Sequence, residues 1–153
     1  MPDRKETKYI VIHCADTKAT QDIGVAEIRK WHTDPPPKGR GWSDIGYALV
    51  IRRDGTSEPG RDLDHDGDTF DDIGAHVEGY NARAVGICMV GGMSKDGKPE
   101  NNFTPAQFKT LAYTVKLLKQ RFPSAEVVGH RDIPGVAKAC PCFDVRTWWA
   151  SVK

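Results

Sequence analysis

The chain has 153 residues, 39% of them hydrophobic and 28% charged, so it is long enough to bury one ordinary core and fits a single domain. A formal net charge of +1 gives no basic face or stripe, which argues against nucleic acid as a partner. No apolar run reaches membrane-spanning length and the amino terminus has no apolar signal core, so we expect no membrane insertion and a protein made and kept in the cytoplasm.

The first predicted elements are a buried strand and a short helix. A continuous apolar run at Tyr9–Cys14 predicts a strand buried on both faces, with His13 at its carboxyl end. Ligands gather at such ends in α/β sheets. Apolar residues recur at helical spacing over residues 25–32 and predict an amphipathic helix there.

Two more strands are predicted in the middle of the chain. Residues 47–52 form the first, which Tyr47 opens, and Asp54-Gly55 is typical of a hairpin into residues 56–58. A second buried strand is predicted at residues 85–90.

The carboxyl-terminal third contains the clearest helix signals. Thr104 and Gln107 form a capping box, and a hydrophobic staple from Phe103 to Phe108 strengthens it, so we predict a helix that ends near residues 122–123. A last short helix is predicted after the potential cap residue Asp144. Tryptophans at three positions are expected to pack in the core, namely Trp31, Trp148 and Trp149. The alternation of strands and helices predicts a single α/β domain around a mixed central β-sheet flanked by α-helices.

Residues 129–143 have the composition of a metal site at the end of a strand. His130 precedes Cys140 across a loop that carries turn residues, and Lys138 stands two positions before the thiol. Imidazole and thiolate both suit zinc. A third ligand must come from elsewhere, and His13 is the obvious donor. Three protein ligands leave one position open for water, which is typical of catalytic zinc.

Each of these residues also has an ordinary structural interpretation. His13 alone could be a structural histidine, Lys138 a solvated surface charge, and Tyr47 a half-buried strand aromatic. Cys142 offers a second thiol close to Cys140, so the sulfur ligand could be either. Two other histidines are not favoured as zinc ligands, because His32 faces out of a helix and His65 sits in an acidic loop.

The acidic loop has its own metal-binding pattern. Asp62, Asp64, Asp66 and the following Asp68 fit the start of a calcium loop. The glutamate that closes such a loop is missing, because Ile73 stands in its place. A solvated polar insertion is therefore the preferred interpretation, with Ca²⁺ as the alternative.

Several motifs in order resemble the zinc-dependent N-acetylmuramoyl-L-alanine amidases of the amidase-type phage lysozyme (endolysin) and peptidoglycan-recognition family. The resemblance covers nearly the whole chain and includes the run Lys138-Ala139-Cys140-Pro141. The other matching segments are residues 11–14, 25–32, 44–47, 52–56, 60–62, 74–76, 79–81, 103–107 and 129–132.

Carried over position by position, the resemblance implies one Zn²⁺ bound by His13, His130 and Cys140. It implies that Tyr47 and Lys138 assist the chemistry. The residue His76 would line the substrate groove without binding metal. Chemically, Lys138 is tethered where its ammonium can reach a developing oxyanion. No carboxylate is assigned as general base.

The resemblance further implies an endolysin that cleaves peptidoglycan between N-acetylmuramic acid and L-alanine. We expect one catalytic domain over residues 1–153, without a separate wall-binding domain, acting as a monomer. A membrane-permeabilising protein of the holin type would give it access to the wall. Two alternatives remain open at this point: a cytoplasmic amidase that recycles wall fragments, and a recognition module that binds peptidoglycan without cutting it.

Overall fold

The structure is a computed structural model that describes residues 3–152, so the ends of the predicted domain, residues 1, 2 and 153, lie outside the described part. Its strands and helices are, in chain order, β1 Tyr9–Cys14, β2 Thr17–Lys18, α1 Val25–Thr33, β3 Leu49–Ile51, β4 Ser57–Pro59, β5 Ala84–Met89, β6 Gly92–Met93, α2 Pro105–Arg121, β7 Glu126–Gly129 and α3 Val145–Ser151.

A five-stranded mixed sheet in the order β4-β3-β5-β1-β7 forms the centre of the molecule, as predicted. The strands β3, β5, β1 and β7 are parallel, and β4 closes one edge as the antiparallel half of the predicted hairpin. The short strands β2 and β6 pair separately and were not predicted.

The pairing register between β1 and β7 determines where two histidines lie. Ile12 pairs with Gly129, the last residue of β7. The residue that follows each of these two is a histidine, so His13 and His130 meet at the carboxyl edge of the parallel sheet. Their ring centroids are 4.5 Å apart.

The two faces of the sheet are covered unequally. Alternate strand residues such as Ile12 and Ile87 face α2 and α3 in the largest hydrophobic cluster. On the opposite face, α1 packs over Val50 and Cys88, while a separate cluster forms around Val11 under the loops that follow β4 and β7. The side chain of His13 belongs to this second face, because strand side chains alternate and Val11 lies two residues earlier.

Helix α2 begins as its sequence predicts. The Thr104 hydroxyl accepts a hydrogen bond from the Gln107 N–H at 3.1 Å, and the Gln107 side chain accepts one from the Thr104 N–H at 2.9 Å. The rings of Phe103 and Phe108 meet edge to face at 6.1 Å. Among the described residues, none of the helices combines the length and apolar character needed to cross a membrane.

The strand predicted at residues 47–52 is shorter in the structure, where β3 begins at Leu49. Gly46 and Tyr47 bond to the loop after β4 instead of continuing the ladder. The Tyr47 carbonyl accepts from the Arg61 N–H at 2.9 Å, and the Gly46 carbonyl accepts from the Ala75 N–H at 3.1 Å. Tyr47 therefore precedes the strand and does not open it.

Candidate metal centre and active site

Three side chains from separate parts of the chain form a potential metal-binding group. The ligand atoms of His13, His130 and Cys140 all lie within 4.8 Å of one another. The first two follow from the register of β1 and β7. Cys140 is brought back to the same edge because its carbonyl accepts a 2.8 Å hydrogen bond from the Arg131 N–H.

The sulfur of Cys140 is held in place by a main-chain hydrogen bond. The backbone N–H of Cys14, at the end of β1, donates to the Cys140 sulfur at 3.2 Å. This contact fixes the sulfur beside the end of β1, and a cysteine that binds metal does so as the thiolate.

The neighbouring thiol of Cys142 is directed elsewhere. Its sulfur donates to the Gly92 carbonyl at 3.3 Å and lies 4.0 Å from the Cys14 sulfur. Burial raises the pKa of Cys142 to about 12, and the neighbouring Cys14 contributes to this increase. Cys142 is therefore a protonated thiol outside the His-His-Cys group, and this placement favours Cys140 as the sulfur ligand.

Both histidines of the group are held in the neutral form that binds metal. Burial lowers the pKa of His13 well below its ordinary value, and the neighbouring His76, His130 and Lys138 lower it further. Burial also lowers the pKa of His130, with a contribution from Lys138.

His76 lies directly behind His13 and selects its tautomer. The His13 Nε2 and His76 Nδ1 atoms are 2.9 Å apart, and His76 Nε2 lies 3.4 Å from the Ala84 carbonyl. A carbonyl only accepts, so His76 carries its proton on Nε2 and accepts at Nδ1. His13 must then donate from Nε2, which leaves its Nδ1 free for a metal. Metal-binding histidines commonly have such a partner on the other nitrogen.

Two further candidate residues lie beside the group. The Tyr47 ring is centred 5.0 Å from that of His13. Burial, together with nearby thiols such as Cys88, raises the pKa of Tyr47 well above its ordinary value, so it remains a protonated phenol that can donate a hydrogen bond. Lys138 is exposed and lines the same cavity as the His-His-Cys group.

The group lies at the bottom of an open cavity of about 1400 Å³. Sequence analysis did not assign several residues that line it, including His32, Arg40 and Trp42. The Arg40 guanidinium lies 5.0 Å above the Trp42 ring, and the His32 ring is centred 4.8 Å from it. Trp31, expected in the core, is instead 42% exposed and lines this cavity. No pattern in the sequence indicated these positions.

The structure separates Asp68 from the other three aspartates that the sequence suggested as a calcium site. The carboxylate of Asp68 accepts hydrogen bonds of 3.1 and 2.6 Å from Arg121. Asp62, Asp64 and Asp66 instead lie near Asp72, which the sequence pattern did not single out.

The fold and this group together define a class: a single α/β domain with a His-His-Cys site that lines an open cavity at the carboxyl edge of parallel strands. Residues 3–143 match the family of N-acetylmuramoyl-L-alanine amidases. The chain therefore belongs to that family, which confirms the family and the class of enzyme predicted from the sequence.

Individual relatives agree with this assignment. The chain is 48% identical over 146 residues to an endolysin of Klebsiella phage KP32, covering 95% of this chain and 87% of that one. It is 41% identical to an endolysin of Escherichia phage T7 with the same coverage. Among solved structures, the N-acetylmuramoyl-L-alanine amidase LysC from Clostridium intestinale URNW aligns with a TM-score of 0.74 at 26% identity, covering 98% of this chain and 89% of that one.

Proposed function

We propose that this chain is a zinc-dependent endolysin that hydrolyses the amide bond between the lactyl group of N-acetylmuramic acid and the L-alanine of the peptidoglycan stem peptide. The observation that carries the proposal is the His-His-Cys group, with ligand atoms within 4.8 Å of one another at the bottom of an open cavity. Endolysin relatives that match along 95% of the chain support the same function.

The chemistry of the three donors fits zinc. Two neutral imidazoles and a thiolate that accepts a backbone N–H are nitrogen and sulfur ligands of the kind that Zn²⁺ prefers. The proposed ligands are His13 through Nδ1, His130 and Cys140. Zinc bound by three protein ligands supplies an acidified water, with a pKa near 7, and polarises a carbonyl.

Tyr47 and Lys138 are proposed to act on the scissile amide. The buried phenol of Tyr47 stays protonated, so it can donate a hydrogen bond to the substrate carbonyl or orient the attacking water. The Lys138 ammonium lies at the cavity wall and can stabilise the negative charge that develops on the carbonyl oxygen.

His76 is proposed to act as a positioning residue for this chemistry, through its contact with His13 as well as from the cavity wall. The aromatic and cationic wall formed by His32, Arg40 and Trp42 is proposed to contact the substrate. In the biological setting we propose, the enzyme acts as a monomer and reaches the wall through a membrane-permeabilising partner.

The proposal is tested by incubating purified protein with peptidoglycan sacculi, with and without a chelator, and identifying new termini by mass spectrometry. We expect stem peptides with free L-alanine amino ends, which disappear under chelation and return when zinc is added. Binding without new termini would identify a recognition module instead. Cleavage of soluble muropeptides but not of intact sacculi would identify a recycling amidase.

A further inference from the structure

A group of four carboxylates lies in the loop after β4, apart from the His-His-Cys group. Oxygen atoms of Asp62, Asp64, Asp66 and Asp72 all lie within 4.8 Å of one another. Oxygens that bind the same Ca²⁺ ion at 2.3–2.6 Å are at most about 5 Å apart, twice the ligand distance. The spacing of this group therefore fits one ion.

Acidic side chains often cluster on surfaces without a ligand, but Asp72 is not a surface residue. It is only 7% exposed, and its Oδ1 atom is buried without a hydrogen-bond partner among the described residues. Its other oxygen accepts from the Leu63 N–H at 2.9 Å. Asp62 also has a buried Oδ1 atom without a described partner. A buried carboxylate oxygen without a donor is unfavourable unless a cation binds it.

The cations near the loop do not satisfy these oxygens. Arg121 binds Asp68, and the Arg4 guanidinium donates to the carbonyls of Phe70 and Asp72. Arg61 is buried nearby, but its Nε and Nη1 atoms have no partner among the residues described. The carboxylate group thus retains a large excess of negative charge.

The loop also has the spacing of a calcium-binding loop. Alternate aspartates Asp62, Asp64 and Asp66 are followed by Gly67, which has a positive φ of 84° where a sharp turn requires glycine. The Gly67 N–H donates to Asp62 at 3.0 Å. No glutamate closes the loop at position 73. The carboxylate of Asp72, one position earlier in the chain, lies beside the other three aspartates instead.

We propose that the loop of residues 62–72 binds one Ca²⁺ ion through the carboxylates of Asp62, Asp64, Asp66 and Asp72. Oxygen donors are hard ligands, which favours Ca²⁺ over Zn²⁺. Mg²⁺ is usually held by one or two carboxylates and retains several waters, so a cluster of four carboxylates favours the larger ion.

The proposed ion would stabilise a segment that connects to the active site. Arg61 and Ala75, on either side of the loop, bond to the carbonyls of Tyr47 and Gly46. The residue after Ala75 is His76, which contacts His13. At the other side, the Arg4 N–H donates to the Asp71 carbonyl and ties the amino-terminal segment to the loop. Calcium binding is therefore expected to raise the stability of the fold.

The test uses the full zinc-loaded protein, freed of calcium, with Ca²⁺ added in calorimetric titrations and thermal melts. We expect one Ca²⁺ per chain and a Tm higher by about 5–10 °C when Ca²⁺ is at ~100 times its Kd. Equal concentrations of Mg²⁺, and NaCl at matched ionic strength, should produce little shift. A Tm that does not change when Ca²⁺ is added, or that rises equally with Mg²⁺, would overturn the proposal.

The substitution Asp66→Asn gives the sharper test. Asn retains the acceptor for the Asp68 N–H, which donates to Asp66 Oδ1 at 2.8 Å, but removes one charge. Without calcium the variant should melt at or above the wild-type temperature, because like-charge repulsion is reduced. With calcium it should melt below wild type, since the ion binds weakly. The same reversal is expected for Asp64→Asn.

The matched control is Asp96→Asn, at an exposed aspartate in a turn outside the loop. This variant should respond to Ca²⁺ as the wild type does. Retention of the full calcium response by both loop variants would refute the site. Bound zinc is measured in parallel and should stay at one per chain in all variants, so a failure of the calcium site is distinguishable from a failure of the proposed amidase.

Discussion

Replacing His76 by Leu tests whether this residue positions His13 for metal binding. His76 accepts a hydrogen bond at 2.9 Å from Nε2 of His13, which is buried. Leu has a similar volume but no acceptor. In the zinc-free variant His13 can move its proton to Nδ1, facing the cavity. Zinc binding would force the proton back to Nε2, where nothing accepts it.

The size of the effect follows from that unsatisfied donor. A buried donor left without its partner costs about 1–3 kcal/mol. Because 1.4 kcal/mol corresponds to a tenfold change in affinity, we expect zinc to bind roughly 10–100-fold more weakly. Competition with a chromophoric chelator at pH 7 measures this change, and thermal melts of the zinc-free proteins check that the variant is folded.

Two further variants make the test specific. His76→Asn places a side-chain oxygen near the position of the histidine Nδ1 and should recover most of the lost affinity. His65→Asn, at an exposed histidine in the acidic loop, should leave zinc affinity unchanged. If His76→Leu binds zinc within about threefold of wild type, the proposed control of the His13 tautomer is wrong.

Other predictions concern the ligands, the oxyanion and pH. Cys140→Ser should lose most bound zinc and activity while Cys142→Ser keeps both, as measured by metal analysis and sacculus digestion; the opposite result would make Cys142 the ligand. Lys138→Ala should keep zinc but lower kcat roughly 10-fold or more. Unchanged turnover would mean that Lys138 is an ordinary surface charge. Burial lowers the pKa of His32 to about 4, so the unfolded chain takes up a proton below pH ~6.5 that the folded chain does not. Between pH 7 and pH 5 the free energy of unfolding should therefore fall by about 1–2 kcal/mol more in wild type than in His32→Asn, as measured by urea unfolding. If the free energy of unfolding falls equally in both proteins, His32 is not the cause of the pH dependence.

The parts of the site that the sequence predicted are those fixed by local pattern. His13 ends a recognisable apolar strand, and His130 follows another, so their meeting depends only on a parallel pairing of the two strands. The α2 cap was equally predictable, because Thr104 and Gln107 are neighbours in the chain.

The parts that the sequence did not predict depend on contacts between distant segments. His76 is 63 residues from His13, and only the folded chain brings its Nδ1 within 2.9 Å of His13 Nε2. Trp31 occupies a helical position that could face either the core or the cavity, and in the folded chain it is 42% exposed and lines the cavity. Asp72 lies outside the local calcium-loop pattern and reaches the other aspartates only through the path of the loop.

Because of the register of β1 and β7, a metal bound by the proposed ligands would also report whether the central sheet is intact. His13 lies on β1 and His130 directly follows β7, so these two proposed ligands stay together while the strands remain paired, whereas Cys140 depends on the loop contact with Arg131. Loss of the loop contact alone would leave a weaker, two-histidine site, whereas separation of the strands would abolish binding altogether. The kinetics of zinc release during unfolding should therefore distinguish local opening of the loop from rupture of the central sheet.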